Sequence, residues 1–340
     1  MQMSSVIGVD LGGTNVRAQA VFPDGRPAGE RVEMSSHAQD GVEIVIEKLS
    51  DTINLAIKNA EVEPTSVGLA IPGHVDDDAG VVVWAPNFGK YVDGVFRYWE
   101  NVEIKAEIER RTGKPLTMGN DANAAALGEY LFGLGEGKAN CLVMLTLGTG
   151  IGGGVVFAPK SIMGPASGPL VLIGGNKGGG ELGHMVVQHN GMDCNAGSYG
   201  TIEAYCQRDS IVRRATHKLR RGRKSIINDL VKGELGKVTP AIIDEAADHG
   251  DSLAREVWQE TGMFLGVGVG SLINVFAPDV FAIGGQISKA GRWFMESAID
   301  EARNVAVPSL YADCEIELAK QVDDAGLLGG AALALQKSQS

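Results

Sequence analysis

The chain has 340 residues, a formal net charge of −12 and a hydrophobic fraction of 44%. That length accommodates two domains with substantial cores, and the apolar content excludes general disorder. The acidic balance argues against nonspecific attraction to nucleic acid or to an anionic membrane surface.

The first segment, SVIGVDLGG, reads as a strand entering a tight glycine turn, and VRAQAVF returns as a second strand. Residues from Gly41 to Ala60 have helical apolar spacing, followed by the strand SVGLAIPG and a shorter one in VVVWAPN. Val102 to Arg111 is expected to be helical, PLTMGND to be a strand with a polar end, and Ala122 to Phe132 a helix. The pattern then restarts: CLVMLTLGTG is another apolar strand running into a glycine turn, and IGGGVVF is its return. Two strand–glycine turn–strand units suggest an internal duplication. GMFLGVGVGSLINVFA is too short and glycine-rich for a membrane span; Gly262, Gly266 and Gly270 share one helical face, open to close approach by another element. DVFAIGGQIS gives a further strand ending in glycines, and DDAGLLGGAALALQ a closing helix of small residues. Alternating strands and helices predict an α/β fold. The four cysteines, at 141, 194, 206 and 314, show no disulfide framework, and no secretory leader pattern opens the chain. A cytoplasmic setting is the expectation.

Several stretches carry polar chemistry. DLGGTNVR lacks the order and the lysine of a P-loop, yet Gly12 and Gly13 offer backbone N–H groups and Thr14 a hydroxyl, a pattern able to form an anion-binding concavity. Gly148, Thr149 and Gly150 repeat that chemistry. Asp10 either holds a water of a phosphate-bound Mg²⁺ or fixes the adjoining turn through backbone hydrogen bonds. In NDANAAALGE, Asp121 reads as a helix cap or as something more. Glu181 and His184, three positions apart in GGGELGHM, fit a metal fragment, a cap or a solvated pair. The basic run IVRRATHKLRRGRKS reads as a solvated helical face, with attraction of phosphate as the alternative, and does not by itself indicate nucleic-acid binding.

Taken in order, Asp10-Leu-Gly-Gly-Thr-Asn15, Asn120-Asp121-Ala-Asn123, Gly148-Thr-Gly-Ile-Gly-Gly-Gly and Glu181-Leu-Gly-His184 resemble the motifs of the ROK family of bacterial sugar kinases and related repressors, from Ser5 to about Leu335. The resemblance implies a two-domain actin-like ATPase fold (hexokinase-like, ribonuclease H-like) with ATP and sugar in an interdomain cleft. On this view residues 1–119 form an N-terminal α/β domain completed by a C-terminal helix over 323–337, and 120–322 form the larger C-terminal domain. Functionally the motifs are most similar to the family's glucokinases, which act on glucose and Mg-ATP. Asp121 matches the catalytic carboxylate that receives the proton of the attacking hydroxyl. Gly73, Asn87, Asn120, Asp121, Glu181, His184 and Glu203 match sugar-side positions. Asp10, Gly12, Gly13, Thr14, Asn15, Gly148, Thr149, Gly150, Gly284 and Gly285 match the ATP and phosphate side, with Asp10 reaching Mg²⁺ through water. Asn123 is expected to organise the helix start. A homodimer or higher homo-oligomer follows from the same resemblance.

Three departures from the family pattern stand out. Zinc-holding relatives carry Cys-x-Cys-Gly-x-x-Gly-Cys after the histidine, whereas here Cys194 is followed by Ala196 and Thr201 at the matching positions. His184 and Cys194 supply two ligands where structural zinc takes four, so no structural zinc is expected. The segments 164–180 and 88–103 are longer than in simpler relatives; the first is expected to be a surface hairpin, the alternatives being a cover over the sugar or an interface. Other hexoses, including fructose, mannose and allose, use similar machinery, as do N-acetylmannosamine and N-acetylglucosamine. Polyphosphate is the alternative donor, and a sugar-responsive transcriptional regulator is the alternative class.

Overall fold

The computed structural model describes residues 4–158, 170–174, 179–194 and 196–337. Strand β1 (Ser5–Leu11) turns through the glycines into β2 (Asn15–Val21) and β3 (Val32–Ser35), followed by helix α1 (Val42–Lys58) and β4 (Pro64–Ile71). Three strands come next, β5 (His74–Asp76), β6 (Val81–Val92) and β7 (Val95–Glu103), then α2 (Lys105–Thr112), β8 (Leu116–Asn120) and α3 (Asp121–Phe132). The second half contains β9 (Cys141–Leu147), β10 (Ile151–Phe157), β11 (Val171–Ile173), α4 (Ile202–Cys206), α5 (Arg208–Arg220), α6 (Ile227–Leu230), α7 (Pro240–Asp248) and α8 (Ser252–Phe276). It closes with β12 (Val280–Gly284), α9 (Gly291–Val305), α10 (Pro308–Ala312), β13 (Glu315–Leu318) and α11 (Ala325–Lys337).

Two five-stranded sheets follow one plan. Their orders are β3-β2-β1-β4-β8 and β11-β10-β9-β12-β13, so each strand–glycine turn–strand unit sits beside an edge strand on one side and two later strands on the other. In the first sheet β1 runs antiparallel to β2 and parallel to β4, and β4 is parallel to β8. This shared order is what the duplicated sequence pattern leads one to expect. The fold is α/β, as predicted. Two compact units divide the chain: Met1–Leu142, Gly153–Gly180 and Asp323–Ser340 form one, and Val143–Gly152 with Glu181–Val322 form the other. Helix α11 thus falls in the first unit, and so does α3, which lies beyond residue 119.

Glycines set the closest packing in both units. A methyl on Gly68 of β4 would overlap the Gly330 carbonyl of α11, and one on Gly8 of β1 would overlap the Leu327 carbonyl. In the second unit, methyls on Gly262 and Gly266 of α8 would meet the Phe294 and Ala298 carbonyls of α9, and one on Gly270 would meet Val305. The face read from the sequence is therefore a helix–helix contact. Among the described residues no helix is long and apolar enough to cross a membrane.

One element differs from expectation. Val102 and Glu103 do not begin a helix: they pair with Val82 and Val81 as the end of β7, and α2 starts at Lys105. The segment 88–103 is the greater part of a long hairpin, pinned by Phe88 and Trp99, both buried with ring centroids 5.1 Å apart. Long-range burial of Trp99 overrides the helical spacing that follows it. Of the segment 164–180, residues 164–169 and 175–178 lie outside the described residues; Val171–Ile173 form β11 against β10.

Candidate functional site

The residues singled out in the sequence divide between the two units, and each set is assembled locally. In the first unit Asp10 occupies the penultimate position of β1, directly across from Arg17 on β2. The Arg17 guanidinium donates to Asp10 Oδ2. Burial pulls the Arg17 pKa down, but its hydrogen bond and charge attraction to Asp10 prevail and raise it, so the guanidinium keeps its charge. Gly326, in the first turn of α11, leaves room for that carboxylate, since a methyl there would sit 2.5 Å from Asp10 Cγ. A helix N-terminus beside a carboxylate is an attractive placement. The adjoining turn is closed by the backbone itself, Gly12 N–H donating to Asn15 O at 2.9 Å. Gly13 and Thr14 are exposed at its tip, whereas the Asn15 amide donates to Glu33 Oε1 at 2.6 Å.

Asn87 and Gly73 come to this region through unusual backbone. Asn87, exposed in a break of the β6–β7 register, has φ 66°, and a methyl on Gly13 would lie 3.3 Å from its Cβ. A non-glycine residue in the left-handed region is uncommon and asparagine tolerates it best. Gly73 has φ 99°, and a methyl there would overlap the Trp84 carbonyl, so no other residue fits without moving β6. Its carbonyl accepts from Asn120 Nδ2 at 2.9 Å.

Asn120 also resolves the capping question. Its Oδ1 accepts from Ala122 N–H and Asn123 N–H, each at 3.0 Å, making Asn120 the N-cap of α3. Asp121 is the first helical residue, half-buried, with Oδ1 accepting from Ala122 N–H at 2.8 Å. A carboxylate here is stabilised by the unpaired N–H groups of the first turn, while the cap itself is supplied elsewhere. Asn123 does not organise the helix start: it is buried, and its Nδ2 donates to Gly153 O on β10 at 2.6 Å.

In the second unit, Glu203 lies on the short helix α4, buried against the second glycine turn. Its Oε2 accepts from Ile151 N–H at 2.9 Å, and a methyl on Gly150 would sit 2.7 Å from the same oxygen. Gly150 therefore permits the approach, and one carboxylate links the start of β10 at Ile151 to α4. Thr149 is exposed at the turn, and Gly148 N–H donates to Gly150 O at 2.9 Å. Gly285, with φ 82°, packs on the Leu147 backbone at the end of β9, so Gly284 and Gly285 adjoin the Gly148–Gly150 turn.

His184 lies in a single 3₁₀ turn, Leu182–His184, with Nε2 3.9 Å from Glu181 Oε2. Its Nδ1 is 3.6 Å from Cys194 Sγ, which donates to Glu203 Oε1 at 3.2 Å. One ligand atom from each of His184, Cys194 and Glu203 lies within 4.8 Å of the others. The sequence count of two possible ligands therefore omits Glu203, which the fold brings to the cluster. Among the described residues the group stops at three. Ala196 has no donor, and the buried Thr201 hydroxyl accepts from Ala204 N–H at 3.1 Å as the cap of α4. A closed four-ligand structural site is thus not assembled from these side chains. Arg17, Thr201 and the Asn123–Gly153 link escape a sequence reading, although alternation across the first hairpin places Arg17 opposite Asp10.

Comparisons with known proteins bear on this arrangement. A glucokinase from Thermotoga maritima is 34% identical, over 98% of this chain and 98% of its own. The crystal structure of a ROK family glucokinase from Streptomyces griseus in complex with glucose and AMPPNP is 30% identical, with a TM-score of 0.76 over 98% of this chain and 100% of that one. A xylose repressor from Caldicellulosiruptor bescii is 26% identical, over 98% of this chain and 78% of its own. The model of the ROK family matches residues 6–337, and the chain accordingly belongs to the ROK family, with its actin-like ATPase fold.

Proposed function

We propose that the protein transfers the γ-phosphoryl group of ATP to the 6-hydroxyl of D-glucose, giving glucose 6-phosphate and ADP. The observation that carries this reading is the division of labour at the start of α3. Asn120 supplies the cap, so the Asp121 carboxylate is not required for that purpose. In the reaction Asp121 accepts the proton of O6 as O6 attacks the γ-phosphorus, and the bond from that phosphorus to the ADP oxygen breaks. Asn120, Gly73, Asn87, Glu181, His184 and Glu203 are assigned to positioning the sugar. Glu203 is buried and held by Ile151 N–H and Cys194 Sγ, so its remaining acceptor positions have a fixed direction, which favours one hydroxyl pattern over another.

On the phosphate side the two glycine turns, around Gly12–Thr14 and Gly148–Gly150, offer backbone N–H groups and a threonine hydroxyl each, with Gly284 and Gly285 on the adenosine side. Asp10, oriented by Arg17, would hold Mg²⁺ through water, and the ion would neutralise charge on the transferred phosphoryl group. The names of the Thermotoga maritima and Streptomyces griseus relatives support glucose and ATP as substrates. The same reading places the protein in the cytoplasm as a homo-oligomer.

The test is an ADP-release assay with purified protein, Mg²⁺ and a panel of hexoses, N-acetylhexosamines and phosphate donors, with product NMR to locate the new phosphate. Glucose-dependent ADP release with phosphate on O6 is the expected result. Sugar binding without phosphoryl transfer from any donor would overturn the kinase reading and favour a sugar-sensing role like that of the repressor relative.

A further inference from the structure

The basic run from Ile211 to Ser225 has no part in the assignments above. In the second unit it forms most of α5 and the turn beyond, and one face of that helix lines a cavity of about 670 Å³. Arg213, Arg214, His217, Lys218 and Arg221 share the face at intervals of three and four. The volume suits a drug-sized or nucleotide-sized molecule.

Acidic neighbours account for some of these cations. Lys218 Nζ donates to Glu256 at 2.5 Å and to Glu260 at 2.8 Å, and Arg223 donates to Glu256 at 2.8 Å. Arg214 directs its donors to Thr261 Oγ1 at 2.6 Å and to the Val257 and Tyr205 carbonyls. Arg213, His217 and Arg221 are different. The Arg213 guanidinium reaches Met192 Sδ at 3.3 Å, a weak acceptor, and the side chains of His217 and Arg221 have no hydrogen-bond or ion-pair partner among the described residues. Tyr205 and Phe264 also line the cavity, their rings stacked with centroids 3.9 Å apart and the Arg214 guanidinium 5.8 Å from the Phe264 centroid. Two planar guanidinium forks and an imidazole beside an aromatic surface, in a chain of net charge −12, make a local exception to its overall acidity.

We propose that this cavity binds a small molecule carrying a phosphate group on an aromatic or apolar body, at a site separate from the residues assigned to phosphoryl transfer. Arginine forks match phosphate oxygens in pairs, and the ring pair covers the apolar part.

Phenyl phosphate is the probe, titrated calorimetrically into the purified full chain without ATP, with inorganic phosphate and benzoate as separate arms. Saturable binding of phenyl phosphate is expected, at least tenfold tighter than either control. Arg213→Ala/Arg221→Ala should weaken it at least tenfold and His217→Ala severalfold, with circular dichroism unchanged. These side chains are exposed, and binding is read without any kinase assay, so failure of the glucose assignment leaves the result interpretable. Absence of saturable binding, equal affinity for benzoate, or undiminished binding by the folded double variant would each overturn the proposal.

Discussion

At Asn120 a single amide joins three parts of the first unit. Its oxygen takes two N–H groups of α3, and its nitrogen donates to Gly73. Asn120→Ala should therefore lose a cap, about 0.5–2 kcal/mol in urea unfolding, and also raise KM for glucose. Asp121→Asn removes the proton acceptor but keeps the side chain's size and one oxygen. A fall in kcat of about 10²-fold or more is expected, general-base catalysis being worth typically 10²–10⁴. Thermal unfolding should stay near that of the parent chain. Retention of most of kcat by the folded variant would remove Asp121 from the chemistry. Cys206 offers a test of burial. It is fully enclosed, which pushes its thiol up to about 12, with the nearby Arg214 charge opposing only in part. At pH 8 the native protein should leave Cys206 unalkylated by iodoacetamide, as peptide mass spectrometry would show, and denaturant should expose it. Labelling in the native state at the rate of a denatured control would contradict that burial.

Among the elements, α11 shows how backbone contact replaces side-chain packing. Gly68, Gly8 and Gly330 let it lie directly on β1 and β4, and Gly326 opens the space beside Asp10. Gly68→Ala should cost about 1–3 kcal/mol by overpacking, read as a lower urea midpoint with an unchanged slope. An unaffected midpoint would mean that the helix can move away freely. The loop Gly191–Gly200 is held by a different device. Cys194 N–H donates to Ser198 O at 2.7 Å, Gly200 N–H to Met192 O at 2.7 Å, and Met192 N–H to Tyr205 Oη at 3.0 Å. The Thr201 cap adds a further tie to α4, its hydroxyl accepting from Ala204 N–H. Protein purified without added metal is expected to show well under one zinc per chain by elemental mass spectrometry and full glucose-dependent turnover once Mg²⁺ or a substitute divalent ion is supplied, with none in its absence. One tightly held zinc, with activity lost on removal and regained on return, would show that His184, Cys194 and Glu203 serve as ligands after all.

For the molecule as a whole, the glucose assignment predicts that glucose has the highest kcat/KM among common hexoses and N-acetylhexosamines; a higher value for any other would replace the sugar and keep the mechanism. What the sequence determined by itself was local. Short apolar runs ending in turn residues marked β1, β4 and β9, which are buried on both faces, and helical apolar spacing marked α1, because such patterns record how much of an element meets a core. The ordered motifs around Asp10, Asn120, Gly148 and Glu181 identified the family, because backbone turns and carboxylates at fixed spacing leave few alternative residues. Tertiary structure decided what depends on partners distant in sequence. It assigned the cap to Asn120 rather than Asp121, since only the fold brings Gly73 to the Asn120 amide. It turned Asn123 toward Gly153, paired Asp10 with Arg17, and extended β7 through Val102 and Glu103 against β6. It brought Glu203 to Cys194, and among the described residues it left Arg213, His217 and Arg221 without acidic partners while pairing Lys218 and Arg223 with glutamates 33 to 42 residues away. Spacing along a chain records periodicity, whereas the partner of a polar atom is chosen by packing between segments that the chain itself keeps far apart.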